Sequence, residues 1–353
     1  MFYLRYLYIF FLIIALNIFL FSTSSLKASA FIVDDIEVSE KLENNFNKDL
    51  LINKGFEKAF SELIKTLVKS SDLKNTKSIK LNEIKGMIES FSIKEEKFIE
   101  KKYQLILGVS FNKRKVYNFL EKKNIFPAQI SRKTFLFIPI IIDQKNNDLL
   151  IFSKNPIYKY WNLISKRNFS IEYLLPTEDL EDFDTIKENA LVIENYDFKK
   201  IIEKYFIDHS IVALIFKDSD KIKVLSKITI KDKEIIKNNS FKIFNFNNEE
   251  KIQDLINELK IIYEDLWKDH NQINTSIKLQ LFIKVDNQNL NASIKFEKTL
   301  DEIDLVSNYS INKINKNFIF YEVIFNGTPS NFINIMLNRS YNFDTQNKIW
   351  ILK

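Results

Sequence analysis

Past residue 40, apolar side chains recur at intervals of three and four. Ile52, Phe56, Ala59, Phe60, Leu63 and Leu67 form one stripe, which predicts a helix from about Lys48 to Lys69 with that stripe in a core. Ile84, Met87, Ile88 and Phe91 predict a second amphipathic helix over Leu81 to Phe91. The period then changes to two: Tyr103, Leu105, Leu107, Val109 and Phe111 alternate with Gln104, Gly108, Ser110 and Asn112, as in a half-buried strand. A partner strand is expected near Ser92 to Ile99 and a short extended piece over Phe31 to Val38. A helix from Lys113 to Lys123 closes this unit before Pro127.

Thr134 to Asp143 is an unbroken apolar run, the pattern of a strand buried on both faces. Its Pro139 lacks a ladder donor and calls for an edge position or a bulge. Asn155-Pro156 predicts a helix start, with Asn as cap and Pro at the first helical position. A strand over Ser170 to Leu175 leads into an acidic loop, then a helix over Asp197 to Phe206 and a buried strand over Ser210 to Lys217. Lys221 to Ile230 and Glu234 to Phe244 alternate as an antiparallel pair, and a long helix runs from Glu249 to Trp267.

The remaining segments, Ser276 to Val285, Leu290 to Ile303, Leu305 to Ile314, Phe318 to Asn326, Pro329 to Arg339 and Lys348 to Leu352, read βαββαβ, a ferredoxin-like order. Ile294 and Phe296 in the first of its helices also fit a strand. The expected fold is α/β to α+β, made of two or three mixed units. The organisation it implies is a leader at 1–30, an α+β domain at 31–130, a central α/β domain with a mixed sheet at 131–272 and a ferredoxin-like domain at 273–353.

The beginning of the chain changes the compartment. Arg5, an apolar run from Leu7 to Phe21 broken only by Asn17, and Ala28-Ser29-Ala30 have the order of a secretory signal peptide. The run is shorter than the roughly 18 to 20 residues a membrane span needs. Cleavage after Ala30 would leave a periplasmic or exported protein; retention would leave a membrane-associated one facing the same compartment. No later segment has 18 consecutive apolar residues, so no further span is expected.

Composition narrows the chemistry. The chain has no cysteine, which excludes disulfides, thiolate metal sites and cysteine nucleophiles. Four glycines, Gly55, Gly86, Gly108 and Gly327, leave no glycine-rich phosphate loop. The net charge of +6 falls to +4 without Arg5 and Lys27, and lysines are interleaved with acids along the chain, so no basic nucleic-acid face is expected.

Several stretches, taken in order, resemble the family of exported bacterial proteins known as the domain of unknown function numbered 2066. They are Gly55-Phe56-Glu57-Lys58-Ala59-Phe60-Ser61-Glu62-Leu63, the Tyr103 to Phe111 strand, Phe135 to Ile142 with Trp161 after it, Leu175-Pro176-Thr177-Glu178-Asp179-Leu180-Glu181-Asp182, Leu191 to Phe216 and the carboxy-terminal βαββαβ pattern. The resemblance implies a cell-envelope location and brings no activity or catalytic residue.

Candidate chemistry is sparse. His209 and His270 each fall at a predicted helix end, where imidazole serves as a cap or solvent group. Asp179, Glu181 and Asp182, in the acidic loop 178–184, are the candidate ligand or partner contacts; clustered carboxylates suit calcium or paired-carboxylate hydrolysis, and a charged loop otherwise is simply solvated. As a solvated loop its charges would contribute little to stability, and removing Asp179 and Asp182 together would leave it nearly unchanged. Tyr158, Tyr160 and Trp161 cluster on one helix and suit a core better than a stacking platform. No catalytic residue, metal ligand or cofactor is assigned. The expectation is a non-enzymatic binding or scaffolding module whose partner is another envelope protein. The alternatives are a secreted hydrolase using the acidic loop, or a membrane-tethered subunit if the leader is retained.

Overall fold

The computed structural model describes residues 30–353, apart from 44, 45, 147, 165, 167, 219, 220, 243–247, 288 and 289. The leader expected over Met1 to Ala30 lies outside the described residues, except that Ala30 opens the first strand. Among the described residues the strands form three sheets with helices packed on them, a mixed α/β architecture.

The first sheet is antiparallel in the order β1 (Ala30–Lys41), β3 (Lys102–Asn112), β2 (Ile88–Ile99). Helix α1 (Lys48–Leu67) lays its predicted stripe on it: Phe56, Phe60, Leu63 and Leu67 join Leu105, Leu107, Val109 and Phe111 in one core. Gly55 permits the close approach, since a β-carbon there would collide with the side chain of Leu107. The expected helix over Leu81 to Phe91 is cut short: α2 (Leu81–Met87) ends where β2 begins, because Ile88 and Phe91 pair with Phe111 and Val109. Glu100 and Lys101, both at positive φ, turn β2 into β3. Helix α3 (Lys113–Lys122) follows, capped by Asn112.

The central sheet runs β5 (Asp148–Leu150), β4 (Lys133–Asp143), β7 (His209–Lys217), β8 (Lys221–Ile230), β9 (Lys233–Lys242), with β6 (Ile171–Leu174) also on β4. Strands β4 and β7 are parallel and buried on both faces. One face packs on α4 (Pro156–Trp161) and α7 (Glu249–His270), the other on α5 (Leu180–Glu188) and α6 (Lys199–Glu203). Pro139 occupies neither an edge nor a bulge. On its far side β6 pairs with Lys133 to Leu136 and β5 with Ile141 to Asp143, so Pro139 falls in the gap between them. Its carbonyl, on the same edge as its absent N–H, accepts from the Asn155 side chain at 2.9 Å. The same Asn155 side chain caps α4 by accepting from Ile157 N and Tyr158 N.

The third sheet has the order β11 (Val306–Ile314), β12 (Phe318–Phe325), β10 (Leu279–Asp286), β14 (Ile349–Leu352), β13 (Phe343–Asp344), with α8 (Leu290–Glu302) and α9 (Pro329–Leu337) between strands in the chain. Thr328 caps α9 with Pro329 at its first position, as predicted. The predicted last strand is β14, parallel to β10, and a further two-residue strand, β13, pairs antiparallel on its outer side.

Asn155→Ala removes the α4 cap, worth about 1 kcal/mol, and orphans the Pro139 carbonyl, worth about 1 to 3 kcal/mol. Urea unfolding should show a loss of about 2 to 4 kcal/mol; a loss below half a kilocalorie would dismiss Asn155 as the filler of the β4 gap.

Candidate ligand cleft between the first two sheets

Helix α7 brings three charged side chains into one row, since Lys260, Glu264 and Lys268 lie one turn apart on one face. All three are buried, and all three bond to backbone rather than to one another. Lys260 Nζ donates to Trp161 O at 2.9 Å and Ile164 O at 2.5 Å, closing the end of α4. Glu264 Oε1 accepts from Ser170 N and Ile171 N at 2.9 and 2.7 Å, fixing the start of β6. Lys268 Nζ donates to Lys65 O and Val68 O at 2.5 and 3.0 Å, at the end of α1. Beside this row, Asp265 accepts from Ser70 N at 2.8 Å and Asp269 pairs with Lys69 at 2.6 Å. The helix of the central unit is thereby tied to the helix of the first.

Where the two units meet, a cleft of about 770 Å³ opens between β1 and β6. Its lining is consecutive in sequence on both strands, Phe31 to Asp35 on β1 and Ile171 to Tyr173 on β6. Successive side chains of a strand point to opposite faces, so consecutive lining means that each strand presents its edge. Among the described residues both are sheet edges: β1 ends the order β1-β3-β2, and β6 pairs with β4 alone. At Asp34 and Asp35 the β1 ladder is bulged, with Asp35 at φ 53°. Ile32 and Ile130 are exposed large apolar residues in the lining, and Lys260 lies at its base.

Burial shifts the row's protonation. The Lys260 ammonium sits 5.0 Å from the ring centres of Trp161 and Tyr173, and burial pushes it down to about 8. Burial likewise lowers Lys268, against the pull of Glu264 and Asp265, and raises Glu264, against the Ile171 and Ser170 amides that donate to it and the charge of Lys268. Glu264 Oε2 is buried without a hydrogen-bond partner, and the residue also lines a second, adjoining cavity of about 410 Å³.

The acidic candidates are placed elsewhere and differently from expectation. Residues 180–188 are helix α5, not a loop. Asp179 is its cap, accepting from Glu181 N and Asp182 N, and Asp182 is buried. The expectation of a solvated loop therefore fails for Asp182. Lys204 converges on the group, 2.7 Å from Asp182, 3.4 Å from Asp179 and 4.0 Å from Glu181, and these partners raise its pKa. The chain's own ammonium occupies the position a bound cation would take. Of Asp179, Glu181 and Asp182, Glu181 is the one that fans into solvent, its side chain 84 % exposed.

The two histidines also separate. His209 is not at a helix end: it opens β7, buried, stacked on Phe135 at 4.9 Å with Nδ1 accepting from Lys231 N at 3.3 Å, and burial lowers its pKa. His270 ends α7 and stacks on Trp267 at 5.6 Å. Trp161 is core, stacked on Phe137 at 3.7 Å, while Tyr158 donates to Pro176 O at 2.7 Å. Sequence reasoning missed the Lys260, Glu264, Lys268 row. Its signal was present, three charges at i, i+4 and i+8 beside an apolar stripe, but the same spacing is common on solvated helix faces.

Asp182→Ala should lower the melting temperature by several degrees, because it strips Lys204 of its shortest partner, whereas Glu181→Ala should leave it unchanged; equal effects would refute the assignment of Asp182 as structural. The pH dependence of Lys260 has a definite sign. It titrates near 10.5 unfolded and near 8 folded, so between those values the unfolded chain holds more protons and stability rises with pH. Below about 8 the burial penalty is present in full. Urea unfolding from pH 8 to 10.5 should show the native protein gaining stability relative to Lys260→Met, with Lys268 contributing equally to both; parallel profiles would rule out Lys260 as the titrating group.

No protein-family model matches the chain, and no curated protein matches it either.

Proposed function

We propose that this protein is a non-enzymatic binding module of the cell envelope that holds another envelope protein in the cleft between its first two units. The observation that carries the reading is the construction of that cleft: two sheet edges face it, and its charged base is fixed by backbone hydrogen bonds. Lys260 donates to two carbonyls and Glu264 Oε1 accepts from two amides, an arrangement that supports positioning of the backbone. The hydrolase alternative draws less support, because Asp179 and Asp182 are engaged by an amide cap and by Lys204. The envelope setting rests on the leader-like order of Met1 to Ala30 and on the resemblance to the exported family. Among the described residues no helix is long and apolar enough to cross a membrane. We read the carboxy-terminal unit as a ferredoxin-like module whose final strand is elaborated into a hairpin.

A photo-reactive benzoylphenylalanine placed in the cleft at Ile130 should give a discrete crosslinked adduct in cells carrying the full chain. The same group at Ile236, exposed on β9, should give none. Adducts at both positions alike, or at neither, would defeat the reading.

A further inference from the structure

The walls of the cleft differ in charge. The first unit contributes Asp34, Asp35 and Glu62, and these acids have lysines of their own: Lys94 lies 2.7 Å from Asp34 and 3.2 Å from Asp35, and Lys65 lies 2.8 Å from Glu62. The central unit contributes Arg132, Lys166 and Lys260, with Glu172 as the one acid beside them. Among the described residues none of these three cations takes part in an ion pair within 4.0 Å; Lys260 is held by carbonyls and Lys166 rests 5.5 Å from the Phe169 ring. The central wall therefore carries the surplus positive charge.

A sheet edge offers a row of backbone donors and acceptors, and an extended chain is the ligand that matches such a row. From Phe31 to Asp35, at about 3.3 Å per residue, the β1 edge is long enough for four or five residues of added strand. Ile32 and Ile130 offer apolar contacts for alternate side chains of such a segment. We propose that the cleft takes an extended, acidic polypeptide segment of the partner as an added strand on the β1 edge, since the β6 edge already gives its Ile171 amide to Glu264 and its Tyr173 carbonyl to Asn162, with the segment's carboxylates toward Arg132, Lys166 and Lys260. This rests on the reading of the cleft as the partner site and adds the chemistry of what enters it.

The test uses the full chain and fluorescein-labelled octapeptides read by anisotropy. The probes are alternating Val-Glu, alternating Val-Lys, and two Val-Glu versions N-methylated on alternate amides in either phase, which removes the donors that strand addition requires. Val-Glu should bind, Val-Lys should bind at least about tenfold more weakly, and at least one methylated phase should lose about tenfold. Arg132→Gln with Lys166→Gln should weaken Val-Glu by a similar factor, whereas Ile236→Gln should not; matched thermal unfolding of the variants excludes loss of fold. Equal binding by both methylated phases would overturn strand addition, and equal binding of Val-Lys would overturn the acidic assignment. Binding by none of the peptides would overturn the proposal, while the crosslink at Ile130 reports separately on whether the cleft holds a partner at all.

Discussion

Three buried charges on one helix hold the first two units together. A buried ammonium or carboxylate is strongly unfavourable unless hydrogen-bonded. Lys260, Glu264 and Lys268 meet that condition by bonding to the backbone of α4, β6 and α1 in turn. Both lysines sit at the carbonyl ends of helices, where the partial negative charge of the unpaired carbonyls favours a cation. The apolar side of the same helix, Leu255, Leu259, Tyr263 and Trp267, packs on the central sheet. One helix thus builds a core with one face and a joint with the other.

The joint determines what the cleft is. Glu264 fixes the first residues of β6, and Lys268 fixes the end of α1, which shares a core with β1, so one helix is tied to both walls of the cleft. A site whose walls are prepositioned loses less conformational entropy when a ligand enters than one whose walls must first be ordered. The third unit joins through Leu305, which packs against the first core, through Arg114 over the Tyr309 ring, and through ion pairs, Lys113 with Asp304 at 2.5 Å, Arg114 with Asp301 at 3.3 Å and Lys278 with Glu121 at 3.1 Å. Only Lys113 among these ion-paired side chains is buried, and exposed pairs contribute little.

Proline placement shows how local rules and tertiary structure trade. A proline in a fully paired strand would lose a ladder hydrogen bond. Here β6 and β5 each cover part of β4, and the interval between them is filled by a side chain that also starts α4. Asn155 satisfies one carbonyl and two amides at once, with its residue fully buried.

Much of the element order was legible in the sequence, because periods of 3.6 and 2 register burial directly: α1, β3, β4, β7, β8 and α7 lie within a few residues of their predicted places. Caps at Asn155 and Thr328 were readable for the same reason, being local hydrogen bonds between near neighbours. The end of α2 was not, since strand pairing with residues some twenty positions later outweighed a helical period. Nor was the role of the acids, because Asp182 is buried only when Lys204 comes to it from α6 and its flank. The sequence by itself determined which faces are apolar, the absence of cysteine chemistry and where helices begin. Only tertiary structure decided that β1 and β6 turn their edges to one cleft and that Lys260, Glu264 and Lys268 face inward, because those placements depend on contacts between residues 93 to 203 positions apart, which no local period encodes.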